Sequence, residues 1–402
     1  MPTTPPTLSR RALNRATLSR QLLLERGSCR PYDAIHALAG MQAQAPLAPH
    51  VGLWTRLAHY SPAALDELYD ARRVVRSNLM RATVHLVTTD DALAWQGLTG
   101  PISARTVQSA FGRRLTGIDL DALTSTALDL LVAAELSTAE LGQQLAQRFP
   151  GYDADALAYG ARGRLALIHV PPRGKWNASA PTRQTTFAAF LGREPEAAPS
   201  PDGILLRYLA AFGPASVQDA QAWSGLTRLS EVADRLSPKL TTFRDPDGRL
   251  LYDLRDAPRP SEFVSAPVRF LPEYDNVFFG YADRTRFIPD LRKPPIPPGN
   301  GARTGTLFVD GEWRGTWKIA LPRKTKSSAG SGGSGKPGGS GSSGSPGSSG
   351  SSGSSERTVL AISLFHKVNA AEREAIEREG SDLARFIAGE GLEASVEISL
   401  GS

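Results

Sequence analysis

The 402-residue chain has 41% hydrophobic and 21% charged side chains, which is the composition of a globular protein with room for two or three domains. No apolar run approaches the roughly 18 residues that a membrane span needs, and the N-terminus lacks the apolar core of a signal peptide. The single cysteine, Cys29, excludes an intramolecular disulfide. We therefore expect a cytoplasmic protein with no membrane partner.

The net charge of +6 is uneven along the chain. Residues 1–326 have an excess of nine positive charges, whereas residues 327–402 have more acidic than basic side chains. Most of the cations are arginine, which pairs with phosphate through two parallel hydrogen bonds. This charge favours nucleic-acid binding, but arginine-rich coding produces the same excess, so charge alone does not establish it.

The predicted elements repeat one order, about three helices and then a β-hairpin, which is the order of a winged helix. In residues 1–115 the helical patterns lie near 8–24, 32–42 and 62–72, and the hairpin lies over residues 74–87. The spacing between the three units is irregular, so the repeat is one of structure and not of sequence.

Two glutamines separated by one small residue follow the second of these helices, in the run AGMQAQAP. The pattern predicts a helix over residues 31–41, and Pro46 forces the residues before it out of helical geometry. In an extended segment Gln42 and Gln44 project from one side of the chain, with Cα atoms about 6.5 to 7 Å apart. Two amides so placed can orient one water molecule, because each carries an acceptor and a donor. Taken alone, the triplet is better explained as helix capping or solvated surface.

The second unit covers residues 116–198. Ser137 and Glu140 form a capping-box pattern ahead of a helix, and a further helix is predicted near 155–167. The proline- and glycine-rich residues 171–174 predict the turn of a wing hairpin.

The third unit covers residues 199–265. A helix is predicted from about Asp202, and Ser216 and Asp219 form another capping-box pattern. The sequence Asp-Pro-Asp-Gly at 245–248 predicts the hairpin turn.

Residues 266–402 form a β-rich C-terminal portion, with a hairpin turn predicted at 310–311 and a helix at about 370–388. Residues 327–355 are almost entirely glycine and serine and predict a disordered loop inside a hairpin. An engineered linker is the alternative.

Three segments resemble the AlkZ/YcaQ family of bacterial DNA glycosylases: LAGMQAQAPLAPHVGLWTRL (38–57), LMRATVHLVTTDD (79–91) and RFLPEYDNVFFGYADRTR (269–286). The resemblance covers most of residues 8–325 and resumes after residue 356. It implies an α+β fold of three tandem winged-helix domains in a C-shaped arrangement around DNA. It also implies excision of bulky N7-alkylguanines and unhooking of interstrand crosslinks.

The catalytic element of this family is a glutamine, an aliphatic residue, and then glutamine or aspartate. Gln42-Ala43-Gln44 is similar to the AlkZ branch, which is associated with self-resistance to DNA-alkylating natural products. Without the aspartate there is no carboxylate base, but an N7-alkylated guanine is already cationic and leaves without protonation. The amides then need only position water, which predicts selectivity for cationic lesions.

Further candidate residues lie in the matched segments or near the predicted second wing. Candidates for the lesion pocket are Trp54, Glu273, Asp275 and Asn276, with core packing or an ordinary turn as the alternative. Candidates for DNA contacts are Arg81, His85, Arg162, Arg164, Arg173 and Lys175, with solvated surface or, for His85, packing as the alternative.

The resulting hypothesis is a monomeric, monofunctional DNA glycosylase whose partner is double-stranded DNA carrying an alkylated guanine. No lysine lies beside the glutamines to form a Schiff base, so we expect base release without strand cleavage. The histidines lack zinc-site spacing and no phosphate-binding glycine loop is found, so we expect no metal and no cofactor. A winged-helix transcription regulator and a non-catalytic lesion-binding protein are the alternatives.

Overall fold

The computed structural model describes residues 4–288, 304–320, 358–389 and 392–401. The predicted Gly/Ser loop at 327–355 lies outside these residues. The chain divides into two compact units, at Arg314 and Gly315. Within the described ranges, no helix is long and apolar enough to cross a membrane.

The first unit contains the following helices: α1 (Arg10–Arg20), α2 (Pro31–Ala37), α3 (Ala48–Arg56), α4 (Pro62–Asp70), α5 (Thr89–Phe111), α6 (Leu120–Ala133), α7 (Thr138–Arg148), α8 (Ala154–Arg162), α9 (Phe187–Leu191), α10 (Pro201–Phe212), α11 (Val217–Ser224), α12 (Leu229–Leu236) and α13 (Asn276–Phe279). Its strands are β1 (Met41–Gln42), β2 (Val74–Asn78), β3 (Val84–Thr88), β4 (Leu136–Ser137), β5 (Leu167–His169), β6 (Arg183–Thr186), β7 (Leu240–Arg244), β8 (Leu250–Leu254), β9 (Arg269–Leu271) and β10 (Gly305–Val309). The fold is α+β, as the sequence predicts.

Six short strands form one sheet, in the order β1-β3-β2-β5-β6-β4. The hairpin of β2 and β3 is the one predicted over residues 74–87. Strand β2 also pairs with β5, with Arg76 opposite His169, so the sheet continues from the first predicted unit into the second. The division into three tandem winged-helix domains in a C-shaped arrangement stays a prediction.

Local signals in the sequence position several other elements correctly. Both predicted capping boxes are present, with Ser137 and Glu140 starting α7 and Ser216 and Asp219 starting α11. Strands β7 and β8 form the third predicted hairpin, and Gly248 in its turn has a φ of +83°.

The prediction of a helix over residues 31–41 is wrong at its C-terminal end, because α2 ends at Ala37. Ala39 and Gly40 both have positive φ, and their N–H groups bond back to the carbonyls of His36 and Ile35. This is the Schellman arrangement that ends many helices. The chain therefore leaves the helix before Met41, and the turn is made by Ala39 and Gly40 together and not by Pro46.

The second unit contains the rest of β11 (Glu312–Ala320), which begins in the first unit, together with β12 (Thr358–Leu364), α14 (Ala370–Ala388) and β13 (Ala394–Leu400). Strand β12 pairs antiparallel with β11, as the predicted interrupted hairpin requires, and parallel with β13. The predicted helix at 370–388 is confirmed and begins with a capping box at Asn369.

Candidate active site

Gln42 lies in the edge strand β1, which pairs with β3 so that Gln42 is opposite His85. The N–H of Ala43 continues the pairing by donating to the carbonyl of Val84, at 2.8 Å. Gly40 permits this approach, because a Cβ atom at its position would lie 2.5 Å from Cγ1 of Val87. The predicted extended geometry is therefore present at Met41–Gln42, where the register with β3 fixes it, whereas Gln44 and Ala45 lie in a bend.

Both glutamine amides are held through their carbonyl oxygens. The Oε1 atom of Gln42, which is 6% exposed, accepts a hydrogen bond from Nη2 of Arg81 at 2.9 Å. The Oε1 atom of the half-buried Gln44 accepts a longer bond, 3.3 Å, from the N–H of Val84. Arginine and backbone N–H can only donate, so these partners fix which end of each amide is oxygen. Neither Nε2 group donates to another described residue, so two amide donors stay available.

Arg81 lies in the three-residue 3₁₀ turn Met80–Ala82 that connects β2 to β3, and its φ of +56° is unusual for a residue with a side chain. Its guanidinium also donates to the carbonyl of Trp223 and lies 5.4 Å from the centre of the Phe279 ring. Removal from water, with a smaller effect from the charge of Arg284, lowers the pKa of Arg81 to about 10. Arg81 is therefore still a cation at neutral pH, and it lies beside the Gln42 amide.

His85 is fully buried, and its Nδ1 atom lies 2.9 Å from the carbonyl oxygen of Thr83. A carbonyl only accepts, so Nδ1 carries the proton and Nε2 faces Arg81 as an acceptor, at 3.4 Å. Burial, followed by the charge of Arg81, lowers the pKa of His85 to about 3. The ring is neutral at physiological pH, which favours the packing alternative over a contact with phosphate.

Two of the predicted pocket residues lie close to Gln42. Asp275 accepts a hydrogen bond from the Arg56 guanidinium at 2.8 Å, and both side chains are almost completely buried. Asn276 donates to the carbonyl of Gly40 at 2.6 Å, while its buried Oδ1 atom has no hydrogen-bond partner among the described residues. Asp275, Asn276, Arg56 and Gln42 all line one small cavity, which has room for about one water molecule.

The other two predicted pocket residues do not line this cavity. Glu273 is half-buried, and its removal from water raises the pKa of its carboxyl group. Trp54 is half-buried on α3, with the Arg26 guanidinium 4.7 Å from its ring centre. A contact of either side chain with a lesion stays a prediction.

The predicted DNA-contacting cations of the second unit all have protein partners. These pairs are Arg162 with Thr138 at 2.6 Å, Arg164 with Asp121 at 2.7 Å, Arg173 with the carbonyl of Ala180 at 2.9 Å, and Lys175 with Asp70. Arg162 also stacks on Tyr159, with 5.2 Å between the guanidinium and the ring centre. Their contacts with phosphate stay predictions, since each would have to share or exchange its present partner.

One residue that supports the site was not predicted. Arg76 is buried in β2 and donates to the carbonyl of Ala43, between the two glutamines, and to the carbonyl of Arg173, both at 3.0 Å. The signal for Arg76 in the sequence is a charged residue inside the strand pattern VVRSN. A buried arginine needs hydrogen-bond acceptors, so its presence there indicates carbonyl partners nearby.

Elsewhere in the first unit, Asp245, Asp247 and Asp283 bring carboxylate oxygens within 4.8 Å of one another. Arg249 forms salt bridges with all three, at 2.8 Å to Asp245 and 3.5 Å to Asp247. Its positive charge already neutralises part of this cluster. The expectation of no metal stays a prediction.

Comparisons with known proteins agree with the resemblance. The family described as DNA glycosylase AlkZ-like matches residues 35–386. An interstrand DNA cross-link repair glycosylase from Streptomyces sahachiroi is 24% identical over 326 residues, which cover 75% of this chain and 85% of that protein.

Among solved structures, the Streptomyces sahachiroi DNA glycosylase AlkZ has a similar fold, with a TM-score of 0.68 and 19% sequence identity. The match covers 98% of this chain and all of the AlkZ chain. The family match covers most of the sequence and includes the glutamine segment, the Arg81 turn and the Asp275 segment. This chain therefore belongs to the AlkZ-like family of DNA glycosylases.

Proposed function

We propose that this DNA glycosylase hydrolyses the N-glycosidic bond of bulky, cationic N7-alkylguanine adducts, and that Gln42 and Gln44 position the attacking water. The observation that carries this proposal is the fixed orientation of the two amides, by Arg81 and by the N–H of Val84. Asp275 is the carboxylate among the described residues that line the small cavity, and Arg56 neutralises it. A site without a free base suits a leaving group that is already activated by its charge.

The two amides differ in what they offer. The Gln42 oxygen already accepts a charge-assisted bond, which makes it a weaker acceptor and its Nε2 group a stronger donor. The Gln44 oxygen has a longer bond and greater exposure, so it is the better acceptor for a water proton. A water that donates to Gln44 and accepts from Gln42 keeps one lone pair in a defined direction, toward the anomeric carbon. The amides so restrict the water to a near-attack geometry without deprotonating it.

Crosslinked guanines are included in the proposed substrates. The relative with 24% identity is named an interstrand cross-link repair glycosylase, and a guanine crosslinked through N7 has the same positive charge as a simple N7 adduct. Hydrolysis at one such guanine releases one end of the crosslink. In a producing organism this activity would provide self-resistance to a genotoxic natural product.

The test is single-turnover release of an N7-alkylguanine from duplex DNA, with DNA affinity measured separately. We expect Gln42→Ala and Gln44→Ala to slow release by about 10-fold or more, which is about 1.4 kcal/mol in the barrier. Gln44→Glu keeps an acceptor and should lose less activity than Gln44→Leu. Gln143→Ala, at an exposed glutamine of α7, is the matched control and should release base at the wild-type rate.

The products separate the proposal from its alternatives. Abasic DNA that breaks only after alkali treatment supports a monofunctional glycosylase. A wild-type protein that binds adducted DNA and releases no base from several N7 adducts would instead support lesion sequestration. Preference for one DNA sequence regardless of damage would support a transcription regulator.

A further inference from the structure

A second cavity, much larger than the one beside Gln42, lies between α5 and α8. Its volume is about 350 Å³, and its lining includes Gln96, Ser103, Phe111, Tyr159 and Arg162. We call it the α5–α8 cleft. We propose that it binds a planar aromatic group that the alkylated guanine carries on N7, so that the cleft selects bulky aryl adducts over small alkyl ones. This inference rests on the proposed function and names its substrate class.

The first argument is an aromatic wall. The rings of Phe111 and Tyr159 are stacked, with centres 4.7 Å apart and planes at 9°. Arg114 lies 5.5 Å from the Phe111 ring centre and Arg162 lies 5.2 Å from that of Tyr159, so cations hold both rings. Tyr159 is nevertheless 38% exposed, an unusual position for a large stacked ring. Such a wall offers offset or edge-to-face contact to a further aromatic ring.

The second argument is a set of polar atoms that no protein group satisfies. Gln96 and Ser103 are nine-tenths buried, and Oε1 of Gln96, Oγ of Ser103 and Nε of Arg162 have no hydrogen-bond partner within the described part of the chain. Buried polar atoms without partners are rare in folded proteins, and several around one cleft indicate a ligand. They comprise an acceptor, a hydroxyl and a donor, which suits an aromatic group with polar substituents.

The third argument is the position of the cleft relative to the glutamines. Asn78, at the end of β2, and Ala82, next to Arg81, belong to its lining. Asn78 is paired with Val84, whose N–H holds the Gln44 amide. The cleft and the glutamine pair therefore share the β2–β3 hairpin, in which β3 lies between Gln42 in β1 and Asn78 in β2. The proposal places the N7 substituent across this hairpin, from the glutamines to the cleft.

Close packing of α5 on α8 shapes the cleft. A Cβ atom at Gly163 would lie 2.7 Å from Cγ2 of Val107, and both residues line the cleft. Glycine at this position lets the two helices approach without filling the space between Tyr159 and Gln96.

The experiment compares two duplexes, one with N7-methylguanine and one with an N7-(naphthylmethyl)guanine, in single-turnover release and in equilibrium binding. We expect wild type to prefer the aryl adduct. Tyr159→Ala, which truncates an exposed ring, and Ser103→Leu, which fills the cleft, should each lower efficiency on the aryl adduct by about 10-fold and leave N7-methylguanine release within about 2-fold. Phe243→Ala is the matched control, since Arg259 lies 5.2 Å from that ring, outside the cleft.

Each result decides the matter. Equal losses on both adducts by both variants would mean that the cleft residues are only structural, and an unchanged ratio of efficiencies would also overturn the inference. Release of both bases by wild type without any preference would leave the proposed function intact and refute the proposed role of the cleft. Tighter binding of the aryl duplex that Tyr159→Ala abolishes, with no release of either base, would support the cleft and refute the proposed function.

Discussion

Two arginines lie beside Gln42, and their surroundings differ. Arg56 is buried against the carboxylate of Asp275, so the pair is neutral overall. Among the described residues, Arg81 donates only to neutral acceptors, the Gln42 amide and the Trp223 carbonyl, and it faces the neutral ring of His85. The first arginine therefore supports the fold, whereas the second gives the Gln42 amide a fixed direction and an uncompensated positive charge.

Under the proposed function, this difference means that the site gives a departing cationic base little electrostatic help and acts by orienting the water. The uncompensated charge of Arg81 opposes the build-up of positive charge on the sugar. It also repels any other protonated side chain, which would otherwise compete for the water. Arg81 contributes by orienting the Gln42 amide. Its guanidinium donates to two carbonyl oxygens, those of the Gln42 amide and of Trp223. Three changes to the two surroundings, and one at the surface, test this interpretation.

The largest effect is expected from removing the charge of Asp275. Asp275→Asn keeps the shape and the cap on α13 but leaves Arg56 buried without a counter-charge, which typically costs about 3 to 5 kcal/mol. Urea unfolding at neutral pH measures the free energy. Asp153→Asn is the matched control, because Asp153 also caps a helix and pairs with an arginine, Arg114, but at the surface. A loss below about 1 kcal/mol in both variants would contradict the assignment of Arg56 to the fold.

Arg81 should affect catalysis more than stability. We expect Arg81→Met to slow single-turnover release by about 10 to 100-fold at unchanged DNA affinity, because the Gln42 oxygen loses its donor. Arg81→Lys should not restore the rate, since lysine cannot donate to two carbonyls through a planar fork.

The alternative role of Arg81, contact with DNA phosphate, makes the opposite prediction. Its loss would then weaken binding and lower the salt dependence of affinity by about one phosphate contact, with an unchanged rate of base release. Affinity measured at several salt concentrations, together with the single-turnover rate, distinguishes the two roles.

Burial, with a smaller effect from the charge of Arg81, lowers the pKa of His85 and so makes stability depend on pH. Its pKa falls from about 6.5 in the unfolded chain to about 3 in the fold, so the unfolded state binds the extra proton between these values. The stabilisation is complete above pH 6.5 and is lost as the pH falls toward 3. Between pH 7 and pH 5 His85 should account for a loss of about 2 kcal/mol.

The measurement is urea unfolding of wild type and His85→Asn at pH 7 and pH 5. Asparagine keeps a donor for the Thr83 carbonyl and does not titrate. The variant should therefore lose about 2 kcal/mol less than wild type over this pH interval. Identical pH dependence in the two proteins would show that His85 does not stay neutral in the fold. His36, which is largely exposed, provides the control substitution His36→Asn.

The sequence predicts those helix starts and turns that depend on residues close together along the chain. The capping boxes at Ser137 and Ser216 and the turn at 245–248 depend on residues within a few positions of one another. The end of α2 was misplaced because a Schellman turn with alanine at the left-handed position lacks the usual glycine there.

Contacts over long sequence separations were beyond the reach of local patterns. Arg81 reaches Gln42 across 39 positions, and Asn276 reaches Gly40 across 236. Family resemblance supplied the segments that contain these residues but not their partners. As an arginine, Arg81 is expected to contact phosphate. Its neighbours in the structure instead favour the proposal that it positions the Gln42 amide.

The smallest effect is expected at the surface, where Lys175 pairs with the largely exposed carboxylate of Asp70. Lys175→Met should change the free energy of unfolding by less than about 1 kcal/mol, because solvent screens a pair whose carboxylate is largely exposed. If Lys175 exchanges Asp70 for phosphate when DNA binds, affinity should fall equally for damaged and undamaged duplexes, and the rate of base release should stay at the wild-type value. A slower chemical step in this variant would instead extend the catalytic machinery from the Arg81 turn to the loop between β5 and β6.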